Sequence, residues 1–196
     1  TDGLTVTYNA GAGSGTVPVD HQTYDLNVQA LVAGGAGLTA PAGTVFVGWQ
    51  VGGAGVTYYP GTTVIVNGNI TLVARYIDPS NALALTFDSN YEVGEADVSW
   101  TVEKNVALNL AGTIFTRPGY TLLGWADNAS DTVAAYALGS AFTPTAAKTF
   151  YAVWQQDTVT VTFDTLAGGT LSGTELIQTV PAGALWSQIN IPTTTP

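Results

Sequence analysis

Val47-Gly48-Trp49 and Leu123-Gly124-Trp125 are one landmark written twice, 76 residues apart. Upstream, an apolar strand signal returns three times: Val6-Thr7-Tyr8-Asn9, Leu85-Thr86-Phe87-Asp88 and Val161-Thr162-Phe163-Asp164. Downstream, Leu72-Val73-Ala74-Arg75-Tyr76 answers to Phe150-Tyr151-Ala152-Val153-Trp154. Tyr58 and Tyr136 stand 78 residues apart, as do Tyr76 and Trp154, so two residues are inserted between Trp125 and Tyr136. This is a tandem repeat, and a repeat fixes architecture before any single element does. A third copy starts near Thr158 and stops before any Gly-Trp. The chain therefore reads as repeat module one at residues 1–78, module two at 79–156, and a partial third module with a Thr/Pro-rich tail at 157–196.

Modules of this size bury little surface, and with no Cys in the chain no disulfide staples them. Stability must come from the aromatic residues gathered at the repeated landmarks. Charged residues make up only 9%, and 14 acids against 4 bases leave a net charge of −10. That sign argues against nucleic acid and against anionic membrane surfaces. A Thr-rich, Lys-poor, Cys-free composition points to an extracellular protein. The sequence contains no signal peptide or membrane-length apolar run. A start at Thr1 and the linker-like end Thr193-Thr194-Thr195-Pro196 suit a mature or excised fragment.

Alternating β-branched and apolar residues predict strands at 4–9, 44–49, 62–66 and 71–77. Asn67-Gly68 suits a type I′ turn, which predicts a hairpin between 62–66 and 69–77. Thr145-Ala146-Ala147 replaces that turn in module two. Gly-rich stretches at 11–15, 34–37 and 52–55 read as loops. Short helices are expected at 24–32, 106–110 and 184–189, each ahead of a proline (Pro41, Pro118, Pro192). The fold class is thus mainly β, or α+β with one short helix on one sheet face. The linkers Asp78-Pro79-Ser80-Asn81 and Gln155-Gln156-Asp157 are short enough to restrict module orientation.

The run Arg117-Pro118-Gly119-Tyr120-Thr121-Leu122-Leu123-Gly124-Trp125, then Tyr136-Ala137-Leu138-Gly139 and the closing strand 150–154, resembles the Listeria–Bacteroides repeat. That family includes the B-repeats of internalin-type surface proteins. The resemblance implies small β-grasp-like (ubiquitin-like) modules strung in tandem on bacterial surface proteins. Module two matches throughout. Module one keeps Phe46, Gly48, Trp49, Tyr58 and Gly61, but has Tyr76 where the family has Trp, and Ala40-Pro41-Ala42-Gly43-Thr44 for the Arg-Pro-Gly-Tyr run.

The landmarks also read physically. Gly48 and Gly124 allow close backbone or ring packing, or mark a bulge. Trp49 and Trp125 can bury a large ring while the indole N–H finds a carbonyl. Tyr58-x-x-Gly61 and Tyr136-x-x-Gly139 suit turns with one residue at positive φ. Tyr76 and Trp154 are expected to close the same core.

Catalytic candidates are few. A nucleophilic triad would need His21, the single histidine, and a carboxylate pair would draw on Glu92, Glu95, Asp97 and Glu103. No cofactor motif is present. Asp127, Asn128 and Asp131 put three oxygen-bearing side chains in one loop, which suits either calcium or an Asx-rich turn. Lys104 beside Asn105, and Lys148, are candidates for a Lys–Asn crosslink, with solvated lysines as the ordinary alternative. Asn69-Ile70-Thr71 and Asn128-Ala129-Ser130 are formal glycosylation sequons.

The expectation is a non-enzymatic structural or adhesive module of a bacterial surface protein, either a stalk spacer or a subunit of an extracellular fibre or layer. Its partners would be copies of itself or neighbouring repeat modules, with assembly through the incomplete third unit and its Leu185 and Trp186. The alternative is an adhesin module that binds a host glycan or protein through loops 52–55 and 127–131.

Overall fold

The computed structural model describes residues 2–91, 95–112, 114–164, 170–172 and 177–195. The chain packs as two compact units, Thr1–Phe115 with Gly124–Val153, and Thr116–Leu123 with Trp154–Pro196. The first holds most of both complete copies of the repeat.

Copy one runs β1 (Val6–Asn9), β2 (Ser14–Gly15), β3 (Val28–Leu31), β4 (Leu38–Thr39), β5 (Val45–Val51), β6 (Thr57–Tyr58), β7 (Thr63–Val66) and β8 (Ile70–Ile77). Copy two runs β9 (Ala82–Asp88), β10 (Val98–Glu103), β11 (Leu108–Asn109), β12 (Tyr120–Ala126), β13 (Tyr136–Ala137), β14 (Ala141–Phe142) and β15 (Lys148–Gln156). The main sheets are ordered β1-β8-β5-β6 and β10-β9-β15-β12-β13. They share one topology, to which copy two adds the edge strand β10. In each, the first and last strands pair in parallel, with Val6 opposite Ile70 and Leu85 opposite Lys148. A smaller antiparallel pair also recurs, β3 with β7 and β11 with β14.

Strand alternation builds each core. In β1, Val6 and Tyr8 point inward, and the outward Thr7 hydroxyl meets that of Thr71 at 2.9 Å. Tyr8 and Phe46 pack edge-on against Trp49, with ring centroids 4.7 and 5.2 Å away. In copy two, Phe87 is the hub, 4.5 Å from Trp100, 4.9 Å from Trp125 and 5.4 Å from Phe150.

Two expectations are overturned. The segments expected as helices at 24–32 and 106–110 contain strands, and no α-helix occurs among the described residues. Their burial has period two: Ala30 and Val32, like Leu108 and Leu110, are buried while their neighbours are exposed. Asn27 (φ 65°) and Asn105 (φ 62°) turn the chain into these strands, and their N–H groups bond the carbonyls of Val66 and Pro144. The third segment, 184–189, holds only the 3-10 turn Trp186–Gln188. Nor do 62–66 and 69–77 pair as a hairpin. β7 takes β3 as its partner, and β8 lies between β1 and β5. Gly68 and Asn67 are not at positive φ, so the type I′ turn does not form.

The linker after copy one is a 3-10 turn, Pro79–Asn81, capped by Asp78, whose carboxylate accepts the Ser80 N–H and hydroxyl at 2.8 and 2.7 Å. The copies also touch directly. Trp100 of copy two is fully buried, stacks on Tyr59 of copy one at 4.8 Å, and donates its indole N–H to the Pro60 carbonyl at 3.0 Å. Arg75 pairs with Glu103, and the Lys104 N–H bonds the Asn81 carbonyl at 2.8 Å.

In the second unit, β16 (Thr158–Thr162) and β17 (Thr170–Ser172) precede β18 (Ile177–Pro181) and β19 (Thr193–Thr195). β16 pairs antiparallel with β18, and β17 with β19. Asp157 is a staple here. Its N–H bonds the Gly119 carbonyl, its carbonyl accepts the Ala182 N–H (both 2.8 Å), and its carboxylate accepts the Thr121 hydroxyl at 2.6 Å.

Trp100→Ala should cost about 3–5 kcal/mol. Because the ring joins both copies, calorimetry should show the first unit's single melting transition split in two. A variant melting within a few degrees of the parent in one transition would show that Trp100 does not couple them.

Candidate functional site

The repeated landmarks converge on one construction. Trp49 and Trp125 are fully buried, and their indole N–H groups donate to the carbonyls of Ala33 and Ala111 at 2.9 and 3.0 Å. These acceptors follow the strands that the sequence suggested were helices. The Tyr-x-x-Gly turns dock beside them. Gly61 (φ 80°) and Gly139 (φ 73°) donate their N–H groups to the carbonyls of Val32 and Leu110. Each turn is closed by a hydroxyl, Thr62 onto the Tyr59 carbonyl and Ser140 onto the Ala137 carbonyl, both at 2.7 Å.

The glycine before each tryptophan is dictated by close approach. A Cβ on Gly48 would lie 2.6 Å from the Tyr58 carbonyl oxygen, and one on Gly124 would lie 2.4 Å from that of Tyr136. Gly48 also follows a register shift in the β5–β8 ladder, so packing and bulge coincide. Tyr58, Tyr76 and Tyr136 are half-buried at the core margins, and Tyr76 donates its hydroxyl to the Ala10 carbonyl at 3.0 Å. Trp154 is half-buried in the second unit. Trp100, Phe87 and Tyr59, which form the hub and the inter-copy joint, were not singled out by the sequence. The alternation of Trp100 and Val102 with less buried neighbours was the available signal.

Loop 127–131 does not gather its oxygens on one point. Asp127 pairs with Lys148 and accepts the Tyr136 hydroxyl at 3.1 Å. Asp131 accepts the Asn128 N–H and side-chain amide at 3.1 and 3.2 Å, as an Asx-type turn does. Among the described residues no group of three His, Cys, Asp or Glu side chains could hold a metal ion. Lys148 is thus engaged by Asp127, while Lys104 is exposed. Of the carboxylate candidates, Glu103 is tied to Arg75, Glu95 and Asp97 are exposed, and Glu92 lies outside the described residues. His21 is exposed. Asn69, in the first sequon, accepts the Thr5 N–H at 3.0 Å. Leu185 and Trp186 are 68% and 70% exposed. Where the two copies face each other, Tyr58, Tyr59 and Arg75 of copy one and residues 106–112 of copy two line a cleft of about 550 Å³.

The Listeria-Bacteroides repeat domain matches twice, over residues 5–75 and 84–153. The chain belongs to this family. The matched segments coincide with the two copies of the sheet topology. The family is found in bacterial surface proteins. No curated protein sequence and no solved structure matches the chain. Among the described residues no helix is long and apolar enough to cross a membrane.

Two predictions concern these repeats. Trp125→Ala should cost about 3–5 kcal/mol, and Gly124→Ala about 1–3 kcal/mol through overpacking against Tyr136. Denaturant melts would measure both, and a Gly124→Ala chain as stable as the parent would refute the close approach. The second concerns pH. The bond from Lys148 holds the Asp127 carboxyl below its ordinary 3.8, helped by the Tyr136 hydroxyl. Burial pulls Lys148 down, but the bond and charge of Asp127 outweigh it, so its ammonium rises above 10.5. A depressed carboxyl stabilises above its unfolded value and loses that contribution as pH falls through its folded value. The raised ammonium stabilises below its unfolded value and loses its contribution as pH rises through its folded value. An NMR titration should place the Asp127 midpoint below 3.8, and Lys148→Met should move it upward.

Proposed function

We propose that the chain is a non-enzymatic structural module of a bacterial extracellular surface protein, built from β-grasp-like repeats at 1–78 and 79–156 that assemble head to tail through residues 157–196. The sheet order supports the β-grasp reading, since the first strand, a parallel closing strand and then the Gly-Trp strand lie side by side in both copies, with a first hairpin added in copy two. A strand pair occupies the place of the usual helix. Exposure of His21 and the engagement of Glu103 favour a non-enzymatic role. The absence of Cys and the scarcity of charge favour an extracellular one.

The assembly reading is carried by the two-stranded sheet β16–β18. In the complete copies the first strand pairs in parallel with a closing strand. Among the described residues β16 pairs with β18 alone, and Ile177, Leu185 and Trp186 are exposed by 66, 68 and 70%. A two-stranded sheet is marginal alone, and its free edge invites a further strand. The first copy offers the complement. β9 is covered by β10, but among the described residues the outer edge of β1 carries only the isolated bridge Leu4–Tyr24 just before it. The occupant is therefore a second copy of this chain, with its β1 edge laid along β16. Such a contact joins unlike surfaces, does not close on itself, and builds a filament.

Light scattering across a concentration series should show growing polymers of the full chain, and electron microscopy should show filaments. Val159→Lys, placing a charge on β16, should leave melting unchanged and abolish them. A full chain that stays monomeric at high concentration would defeat the assembly reading.

A further inference from the structure

The copies diverge at one position of their shared motif. The Tyr136 ring is enclosed by Phe142 and Phe150, at 5.9 and 5.2 Å, and its hydroxyl is held by Asp127. Tyr58 holds the same place in copy one. Among the described residues its ring packs on no other ring and its hydroxyl makes no hydrogen bond, and it lines the inter-copy cleft. Both motif tyrosines are half-buried at a core margin, but Tyr58, which packs against the copy-one core, also lines a cavity and among the described residues has no ring enclosing it.

The cleft's volume of about 550 Å³ falls within the range of roughly 300–1,000 Å³ that small-molecule sites occupy. Its lining is mixed and nearly uncharged, with Val56, Val106, Leu108 and Leu110 giving apolar surface beside the polar groups. Gln29, Gln50, Thr57 and Asn109 supply amides and a hydroxyl, and Arg75 is the one charged side chain, neutralised by Glu103. Asn109 is exposed and Gln29 already accepts the Thr63 hydroxyl, which leaves its amide N–H groups to donate. Side-chain amides both donate and accept, which matches vicinal hydroxyls. The face of a tyrosine ring accommodates the C–H face of a pyranose. An anionic ligand would find no free cation here on a chain of net charge −10.

We propose that this cleft binds a neutral oligosaccharide, with Tyr58 as the stacking platform and Gln29 and Asn109 as hydroxyl-binding amides. The proposal is independent of filament assembly, because the cleft lies within the first unit and uses neither β1 nor β16.

Calorimetric titration of the full chain with cellotetraose, maltotetraose, mannotetraose and N-acetylchitotetraose, with sialyllactose and heparin tetrasaccharide as charged arms, tests it. At least one neutral tetrasaccharide should bind with a Kd below about 1 mM. Tyr58→Ala should weaken that binding at least about tenfold, Tyr58→Phe should retain most of it, and Asn109→Ala should weaken it without altering the melt. If Tyr58→Ala fails to fold, Asn109→Ala decides. No neutral binding in the panel, tighter binding of a charged sugar, or folded Tyr58→Ala and Asn109→Ala variants that bind like the parent would each overturn the proposal.

Discussion

The destination of one indole N–H constrains both copies of the repeat. A tryptophan buried as completely as Trp49 or Trp125 must have its donor satisfied, since an orphaned one costs about 1–3 kcal/mol. The N–H goes to the carbonyl just after the short inner strand, Ala33 or Ala111. That bond joins the Gly-Trp strand of the main sheet to the smaller strand pair and sets the separation between them. The glycine before the ring follows from it. With the indole seated, the backbone of β5 or β12 lies against the Tyr58 or Tyr136 carbonyl, where a Cβ has no room. Gly61 and Gly139 then complete the socket by donating to the carbonyl before the tryptophan's acceptor. What looked like separate landmarks is one network of backbone bonds around a ring.

Trp100 has a different task. It lies on β10, the strand copy one lacks, and its ring and N–H both reach copy one. Burial of so large a ring at a junction couples two small cores that would each be marginal alone. The cleft is its by-product. Tyr59 is covered by Trp100, while the adjacent Tyr58 packs against the copy-one core and lines the cleft, to which copy two contributes residues 106–112.

The repeat, its family and the strands at the landmarks were legible because alternation and aromatic spacing report directly on burial. The strands at 28–31 and 108–109 were not. Runs of five to nine mixed apolar residues fit a short helix and a half-buried strand equally well, and the tertiary bonds of Asn27 and Asn105 decide between them. Asn67-Gly68 misled for a related reason. A local turn preference of this kind yields when β8 is claimed on both edges by β1 and β5. The Asp-rich loop was legible as a polar turn, but the pairing of Asp127 with Lys148, 21 residues away, depends on β15 passing beside it.

Sheet edges are where this composition has consequences. Natural sheets blunt exposed edges mainly with lysine and other charges, with proline, or with cover. Lys104 and Lys148 are the only lysines, so charge is scarcely available, and β10 supplies the cover in copy two alone. β16 reads Thr158-Val159-Thr160-Val161-Thr162, five β-branched residues with neither charge nor proline. A segment of that kind has high strand propensity and nothing that opposes pairing. In a protein selected to remain monomeric such an edge would be a liability. β1 and β16 are thus two strand edges that the composition leaves without the usual charged or proline guards.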